Sequence, residues 1–270
     1  MKVVIDADQA IYACGFSAKG EPLSHVLHLI KKRINNVIKQ TEADSFEVYV
    51  EGKGNFREEV ALDYKGNRKG EKPEFFKESK QFLIDYFKAT LVTGMETDDM
   101  VSYLLYQDFK KHKGDMSECE VVLSSPDKDL NNTPGWHHNP MTGEVKWIDE
   151  EDAYLHFLKQ LLSGDAVDNI PGLPYVTDEM KKKFNLRSRK VGKATAQSVI
   201  EGCSVLEAFN NVKECYLSWG TEEGYSEEAA LEYMEQQGQL LWMTRELNNG
   251  EPVRFNLEKF TREITNEASH

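Results

Sequence analysis

Five short groups of carboxylates punctuate the first 170 residues: Asp6, Glu51, Glu96-Thr97-Asp98-Asp99, Asp127-Lys128-Asp129 and Asp165-Ala166-Val167-Asp168. Three of them follow an apolar run. Residues 2–5 precede Asp6, 46–50 precede Glu51 and 120–124 precede Asp127, and each run reads as a buried strand with an acid at or just past its C-terminal end. Between the first two, Leu23, Val26, Leu27, Ile30, Ile34, Val37 and Ile38 recur at spacings of three and four, which predicts an amphipathic helix and so a β-α-β unit. A helix opened by Pro73 and running to about 88, a strand at 90–93 and a helix over about 96–112 continue the alternation. The expected fold class is therefore α/β, a mostly parallel sheet with helices on both faces. In such sheets ligands bind at the carboxyl ends of the strands, where these acids fall.

Any one of the acids is explained by helix capping or a solvated turn. Five groups gathered on one sheet edge are not, because that many anions repel strongly unless divalent cations neutralise them. Hard oxygen donors favour magnesium or manganese over zinc, and two such ions about 3.5–4 Å apart clamp the attacking and leaving oxygens of a phosphodiester. This chemistry needs no nucleophilic side chain.

Charge at first argues otherwise. The chain carries 33 Lys and Arg against 46 Asp and Glu, a net of −13, which disfavours a polyanionic partner. The excess is uneven, since residues 201–270 hold 14 Glu and only 5 Lys or Arg, leaving −4 for the first two hundred. If nine carboxylates there are taken up by metal, the remaining surface is basic and nucleic acid becomes a plausible partner. Lys181, Lys182, Lys183, Arg187, Arg189, Lys190 and Lys193 add a run without an acid. No stretch approaches the ~20 apolar residues of a membrane helix, and the N-terminus turns acidic at Asp6. A cytoplasmic chain is expected, in host cytoplasm if viral. Cys14, Cys119, Cys203 and Cys215 are scattered without a metal or disulfide pattern.

The order of these motifs resembles the 5′ to 3′ exonuclease and flap endonuclease family, including its bacteriophage exonucleases and the 5′ nuclease domains of bacterial DNA polymerases. The likeness spans most of residues 2–200. Val3-Val4-Ile5-Asp6 resembles the opening strand and metal-binding Asp, and Phe56-Arg57 with Asp63-Tyr64-Lys65-Gly66-Asn67-Arg68 the F-R…Y-K-x-N-R segment. Met95-Glu96-Thr97-Asp98-Asp99 resembles the E-A-D-D helix start, Asp127-Lys128-Asp129-Leu130 the D-K-D-L turn, and residues 164–172 the G-D-x-x-D-N-I-P-G motif. Glu51 stands where the family usually has Asp.

The resemblance implies a PIN-like 5′ nuclease core over 1–162, with an arch or clamp at about 52–90. Over 163–270 it implies a helical, helix-hairpin-type DNA-binding region followed by C-terminal helices. It implies two divalent cations, Mg²⁺ with Mn²⁺ able to substitute, held by Asp6, Glu51, Glu96, Asp98, Asp99, Asp127, Asp129, Asp165 and Asp168, the first four binding the tighter ion. Lys65 and Arg68 would act on the scissile phosphate, and Arg57, Tyr64, Lys65, Arg68, Gly172, Lys190, Gly192, Lys193 and Thr195 would contact DNA. Residues 191–196 resemble the G-x-K-T-A end of the hairpin element, which often holds K⁺, although Lys193 falls one place early and residues 173–190 insert an enlarged basic loop. The expected partner is DNA with a 5′ end, flap or nick, and an RNA:DNA hybrid is a further candidate. A monomer is expected.

Two other readings use part of the same sequence. Asp6-Ala7-Asp8 after an apolar run, with Ser124 or Ser125 and Asp165…Asp168, imitates a haloacid-dehalogenase phosphatase, but leaves Glu96, Asp98, Asp99 and the basic loop unused. A catalytically silent, structure-specific DNA-binding protein would not need the full acid set. His25, His28, His137 and His138 lack partners at metal spacing and read as surface or packing residues.

Overall fold

The first apolar run becomes an inner strand of the sheet, and the acids that follow such runs take their places from it. The computed structural model describes residues 1–68 and 70–267. In chain order the elements are β1 (Lys2–Asp6), α1 (Asp8–Ser17), α2 (Leu23–Gln40), β2 (Ser45–Glu51), α3 (Arg57–Val60), α4 (Phe76–Phe87), β3 (Thr90–Val92) and α5 (Thr97–Lys111). Next come β4 (Val121–Ser124), a 3-10 turn (Asp129–Asn132), β5 (Gly135–His138), β6 (Val145–Ile148), α6 (Glu150–Ser163), α7 (Asp178–Lys183) and α8 (Lys193–Ile200). The last are α9 (Val205–Glu223), α10 (Glu227–Leu241), β7 (Leu247–Asn248), β8 (Glu251–Pro252) and α11 (Leu257–Glu267).

Two compact units share the chain, and neither is continuous in sequence. The first comprises Met1–Phe56, Gly70–Glu150 and Met243–Val253, the second Arg57–Lys69, Glu151–Trp242 and Arg254–His270.

The first unit holds a six-stranded sheet in the order β3-β2-β1-β4-β5-β6, parallel except for β6. The expected mostly parallel sheet with helices on both faces is borne out. Because successive strand side chains point to opposite faces, Val3 and Ile5 pack with Ile11 of α1, Ile30 and Ile34 of α2 and Leu83 of α4. Val4 and Leu123 instead meet Val101 and Leu105 of α5. Each fully buried aliphatic side chain contributes about 1.5–3 kcal/mol, which fixes the register. In that register Asp6 pairs with Tyr49 and Ile5 with Ser124, so Asp6, Glu51 and Ser125 leave the sheet at one edge.

The β5–β6 hairpin extends the sheet beyond the predicted strands. His137 and His138 lie on β5 and are both buried, which makes them packing residues. His137 Nε2 is 2.8 Å from the Thr133 carbonyl and His138 Nδ1 2.9 Å from Ser124 Oγ. Burial holds the His138 ring below the ordinary histidine range, and so neutral.

In the second unit α6, α8, α9, α10 and α11 surround a core that includes Phe157, Leu161, Val199, Tyr216, Trp242 and Phe260. The Tyr216 hydroxyl donates to the Leu161 carbonyl at 2.6 Å, which satisfies a phenol buried at the centre. α9 begins at a reciprocal capping box between Ser204 and Glu207 and stops at Gly224, whose φ of 80° ends the helix in the left-handed conformation.

Candidate active site

Asp6 ends β1 and is only 7% exposed. Its Oδ1 accepts from the Asp8 amide at 3.2 Å and its Oδ2 from the Ser125 hydroxyl at 3.3 Å. Burial, with the neighbouring Asp8 charge second, pushes its carboxyl from an ordinary 3.8 up to about 7, and Asp127 adds to the push. Ser125 also accepts the Asp127 amide at 3.2 Å, and Asp127 Oδ1 accepts the Asp129 amide at 2.9 Å. The turn after β4 is thereby folded against the end of β1.

Asp8, the first residue of α1, lies at the junction of three acid-bearing elements. Its Oδ2 accepts the Glu51 amide at 2.7 Å and the Thr97 hydroxyl at 2.8 Å, joining the end of β2 to the start of α5. Its carboxyl too is raised by burial, against the lowering effect of those two bonds. Glu51 itself is exposed, and its carbonyl accepts the Lys80 ammonium.

Glu96 is the N-cap of α5, and with Asp99 it forms a reciprocal capping box. Asp99 is completely buried: Oδ2 accepts the Glu96 amide at 3.3 Å, while Oδ1 accepts the amide and hydroxyl of Thr244 at 3.1 and 2.9 Å. Asp98 sits between them in the first helical turn, where the helix dipole favours an anion.

In the second unit Asp165 and Asp168 belong to a turn whose conformation explains its sequence. Asp165 and Ile170 exchange both backbone hydrogen bonds at 2.8 Å, and Asp165 Oδ1 accepts the Val167 amide at 2.8 Å. Gly164 has φ of 61°, and a Cβ there would fall 2.1 Å from the Ile170 carbonyl oxygen. Gly172, with φ of 66°, would place one 2.4 Å from the Gly164 amide nitrogen. The two glycines cross so closely that no other residue fits at either position.

Segment 63–68 is bonded onto this turn. The Lys65 amide donates to the Asp168 carbonyl at 2.9 Å, Asn67 Nδ2 to the Ala166 carbonyl at 2.8 Å, and Asn169 Nδ2 to the Asp63 carbonyl at 2.9 Å. Three side chains of the expected arch meet on one carboxylate. The Tyr64 hydroxyl donates to Asp168 Oδ2 at 3.2 Å, Lys65 Nζ lies 3.5 Å from the same oxygen, and Arg68 pairs with Oδ1.

Three residues expected at DNA, Arg57, Tyr64 and Gly172, are placed inside instead, Tyr64 at 8% exposure within the aromatic core of the second unit. Arg57 is 1% exposed, and donates from Nε to the Leu240 carbonyl at 2.8 Å and from a terminal nitrogen to the Trp242 carbonyl at 2.9 Å. It satisfies carbonyls that the end of α10 leaves open. The buried Gly172 gives its amide to Gln237 at 3.1 Å and accepts the Tyr233 hydroxyl at 3.2 Å. Thr195 Oγ1 donates to the Lys190 carbonyl at 3.2 Å, closing the turn before α8. Gly192 is the N-cap of α8, and Lys190 and Lys193 are exposed.

The basic run is not one loop, since Lys181, Lys182 and Lys183 close α7 and Lys193 opens α8, and its cations divide into two sets. Lys181 pairs with Asp178 at 2.5 Å, Lys183 with Glu214 and Arg189 with Glu222, so α9 spends part of the acidic C-terminal excess on it. Lys182, Arg187, Lys190 and Lys193 are exposed and directed to solvent.

The donors at the sheet edge are all oxygens, and they include a buried carboxylate oxygen, Asp8 Oδ1, with no hydrogen-bond partner. That chemistry fits a hard divalent cation. Among the described residues no group of three or more His, Cys, Asp or Glu side chains is placed so that together they could hold a metal ion. Sequence reasoning gave Asp8 and Ser125 only to the phosphatase alternative and gave Thr97 no role. The signal for Asp8 was its place two residues after Asp6; Thr97 and Ser125 are ordinary hydroxyls next to acids.

No family model matches the chain. The likeness read from the motifs is nonetheless borne out by relatives. The chain is 24% identical over 237 residues to a 5′-3′ exonuclease of Buchnera aphidicola, covering 78% of this chain and 74% of that protein. It is 28% identical over 180 residues to DNA polymerase I of Pseudomonas aeruginosa, covering 60% of this chain but only 19% of the polymerase. In structure it is similar to the flap endonuclease of bacteriophage T5, solved in complex with DNA and metal ions, with a TM-score of 0.50 at 17% identity over 100% of this chain and 99% of that one.

Proposed function

We propose that this chain is a metal-dependent 5′ to 3′ exonuclease and structure-specific 5′ nuclease that hydrolyses phosphodiester bonds of DNA by a two-metal mechanism. The observation that carries this reading is the buried Asp6 carboxylate with the half-buried Asp8 and Asp127 acting on it at the C-terminal edge of a parallel sheet. Two desolvated anions side by side are costly for a folded protein, and a divalent cation removes that cost.

Asp6, Glu51, Glu96 and Asp98 hold the tighter ion, and Asp99, Asp127, Asp129, Asp165 and Asp168 complete the set. When bound, the cations, Mg²⁺ or Mn²⁺, supply positive charge to the phosphoryl oxygens and to the attacking and leaving oxygens. Lys65 and Arg68, paired with Asp168 before substrate arrives, stabilise charge developing on the phosphate, while the buried Tyr64 supports Asp168 from inside the core. Lys182, Arg187, Lys190 and Lys193, with the open amides at the start of α8, grip the duplex backbone. A K⁺ ion at that helix start would assist. Arg57 and Gly172 serve from inside, fixing the end of α10 and the Asp165–Asp168 turn. In this division 1–162, with the arch within 52–90, carries most of the chemistry, and 163–270 adds Asp165 and Asp168 to it and holds the duplex. The protein acts as a monomer in cytoplasm, on DNA with a 5′ end, flap or nick, and on the RNA strand of hybrids. No helix among the described residues is long and apolar enough to cross a membrane.

The test is an end-labelled panel of flap, nicked, blunt-duplex and RNA:DNA substrates with Mg²⁺, resolved by product length. Release of short products from the 5′ end is expected, strongest on flaps and nicks. Turnover of small phosphomonoesters without cleavage of any of these polymers would overturn the reading.

A further inference from the structure

Asp8 belongs to none of the nine carboxylates the motifs supply, yet its contacts place it among them. One of its oxygens is fully engaged: Oδ2 receives the Glu51 amide at 2.7 Å and the Thr97 hydroxyl at 2.8 Å. The other oxygen, Oδ1, is buried and has no hydrogen-bond partner. Asp8 also donates its own amide to Asp6 Oδ1 at 3.2 Å, and its carboxylate lies near enough for its charge to act on that of Asp6. Lys80, the lysine with the strongest effect on Asp8, gives its ammonium to the Glu51 carbonyl.

A desolvated polar oxygen without a donor is destabilising, and more so when it is charged. Its retention beside a second buried anion calls for a ligand with positive charge and a taste for oxygen. We infer that Asp8 is a tenth carboxylate of the metal site, tying β2 to α5 through Oδ2 and offering Oδ1 to the divalent cation that Asp6 binds. The inference rests on the proposed reading of Asp6 as a metal ligand and adds a residue to it. The division of labour between the two oxygens also gives it a test, because an amide can keep one role and lose the other.

Mn²⁺ binding to the full chain, followed by isothermal titration and by the loss of the free-ion electron paramagnetic resonance signal, separates the possibilities. In Asp8→Asn the remaining carbonyl oxygen still accepts from Glu51 and Thr97, while the anionic donor is gone, so affinity should fall about 10- to 100-fold. Thr97→Val removes part of the tie but leaves the carboxylate, so it should weaken Mn²⁺ binding less than Asp8→Asn does. Unchanged Mn²⁺ affinity in Asp8→Asn, alongside a loss in Asp6→Asn, overturns the tenth ligand and leaves the proposed function standing. Equal losses in Thr97→Val and Asp8→Asn also overturn it, reducing Asp8 to a positioning residue. A wild-type chain that binds no Mn²⁺ takes down both readings together.

Discussion

Replacing Asp6 by Asn should stabilise the metal-free protein at alkaline pH while destroying its activity. Asp6 is buried, and its carboxyl is raised from an ordinary 3.8 to about 7, first by burial and then by Asp8. Between those two values the folded state holds a proton that the unfolded chain has released, so stability falls as pH rises through this window and is flat above it. Roughly three pH units at about 1.4 kcal/mol each put the full penalty near 4 kcal/mol above pH 7. Asparagine escapes that penalty, but it accepts with only one oxygen where Asp6 accepts from both Ser125 and the Asp8 amide. One lost bond returns about 1–1.5 kcal/mol, leaving a net gain of about 2–3 kcal/mol at pH 8. At about 2–4 °C per kcal/mol for a chain of this size, the melting temperature in chelator should rise by roughly 4–12 °C. At pH 4 the gain should vanish or turn into a small loss. Thermal unfolding followed by circular dichroism at both pH values reads this directly. Equal destabilisation at pH 4 and pH 8 would refute the view that Asp6 is a strained anion kept for a cation.

Asp127→Asn and Asp165→Asn should each reduce cleavage by about 100-fold or more while metal-free DNA binding stays measurable by gel shift; unaltered cleavage in either removes that residue from the site. Gly164→Ala should cost about 3 kcal/mol in urea unfolding, because its Cβ would meet the Ile170 carbonyl at a positive φ; a neutral result would mean the turn opens readily. The exposed and paired cations of the basic run should differ in salt dependence. Arg187→Ala and Lys190→Ala should each lower the slope of log K against log salt by about 0.9, whereas Lys183→Ala, whose ammonium is already held by Glu214, should barely change it. Equal slopes for all three would show that the intramolecular pairs break on DNA.

Where sequence and structure agree, one-dimensional signals were strong. β1 carries Val3, Val4 and Ile5 in a row, β2 carries Val48, Tyr49 and Val50, and α2 carries Val26, Ile30, Ile34 and Val37 on one buried face, so both kinds of element announce themselves. α1 does not, because apart from Ile11 its buried positions are the small residues Ala10, Cys14 and Gly15, which leave little periodic contrast. Gly15 is there because a Cβ would lie 2.6 Å from Pro73, a constraint set by a residue nearly sixty positions away. The β5–β6 hairpin was hidden by polar and aromatic residues, among them the two histidines.

The candidate site shows the same division. Strand-end acids were legible because the chain must place them at the sheet edge. Asp8, Thr97 and Ser125 were not, since their value lies in bonds to partners dozens of residues away. Arg57 was given to DNA by the resemblance of Phe56-Arg57 to the F-R segment, which carries no information on burial; only the fold brings it to the carbonyls of Leu240 and Trp242.

The central claim is that carboxylates beyond the parallel strands turn bound cations into phosphodiester hydrolysis. A time course on 5′-labelled duplex DNA, run with Mg²⁺, with excess chelator, and with Asp6→Asn in Mg²⁺, tests it most directly. Label should leave as short fragments in the first reaction alone. Equal release in chelator, or by the Asp6→Asn protein, would contradict the account.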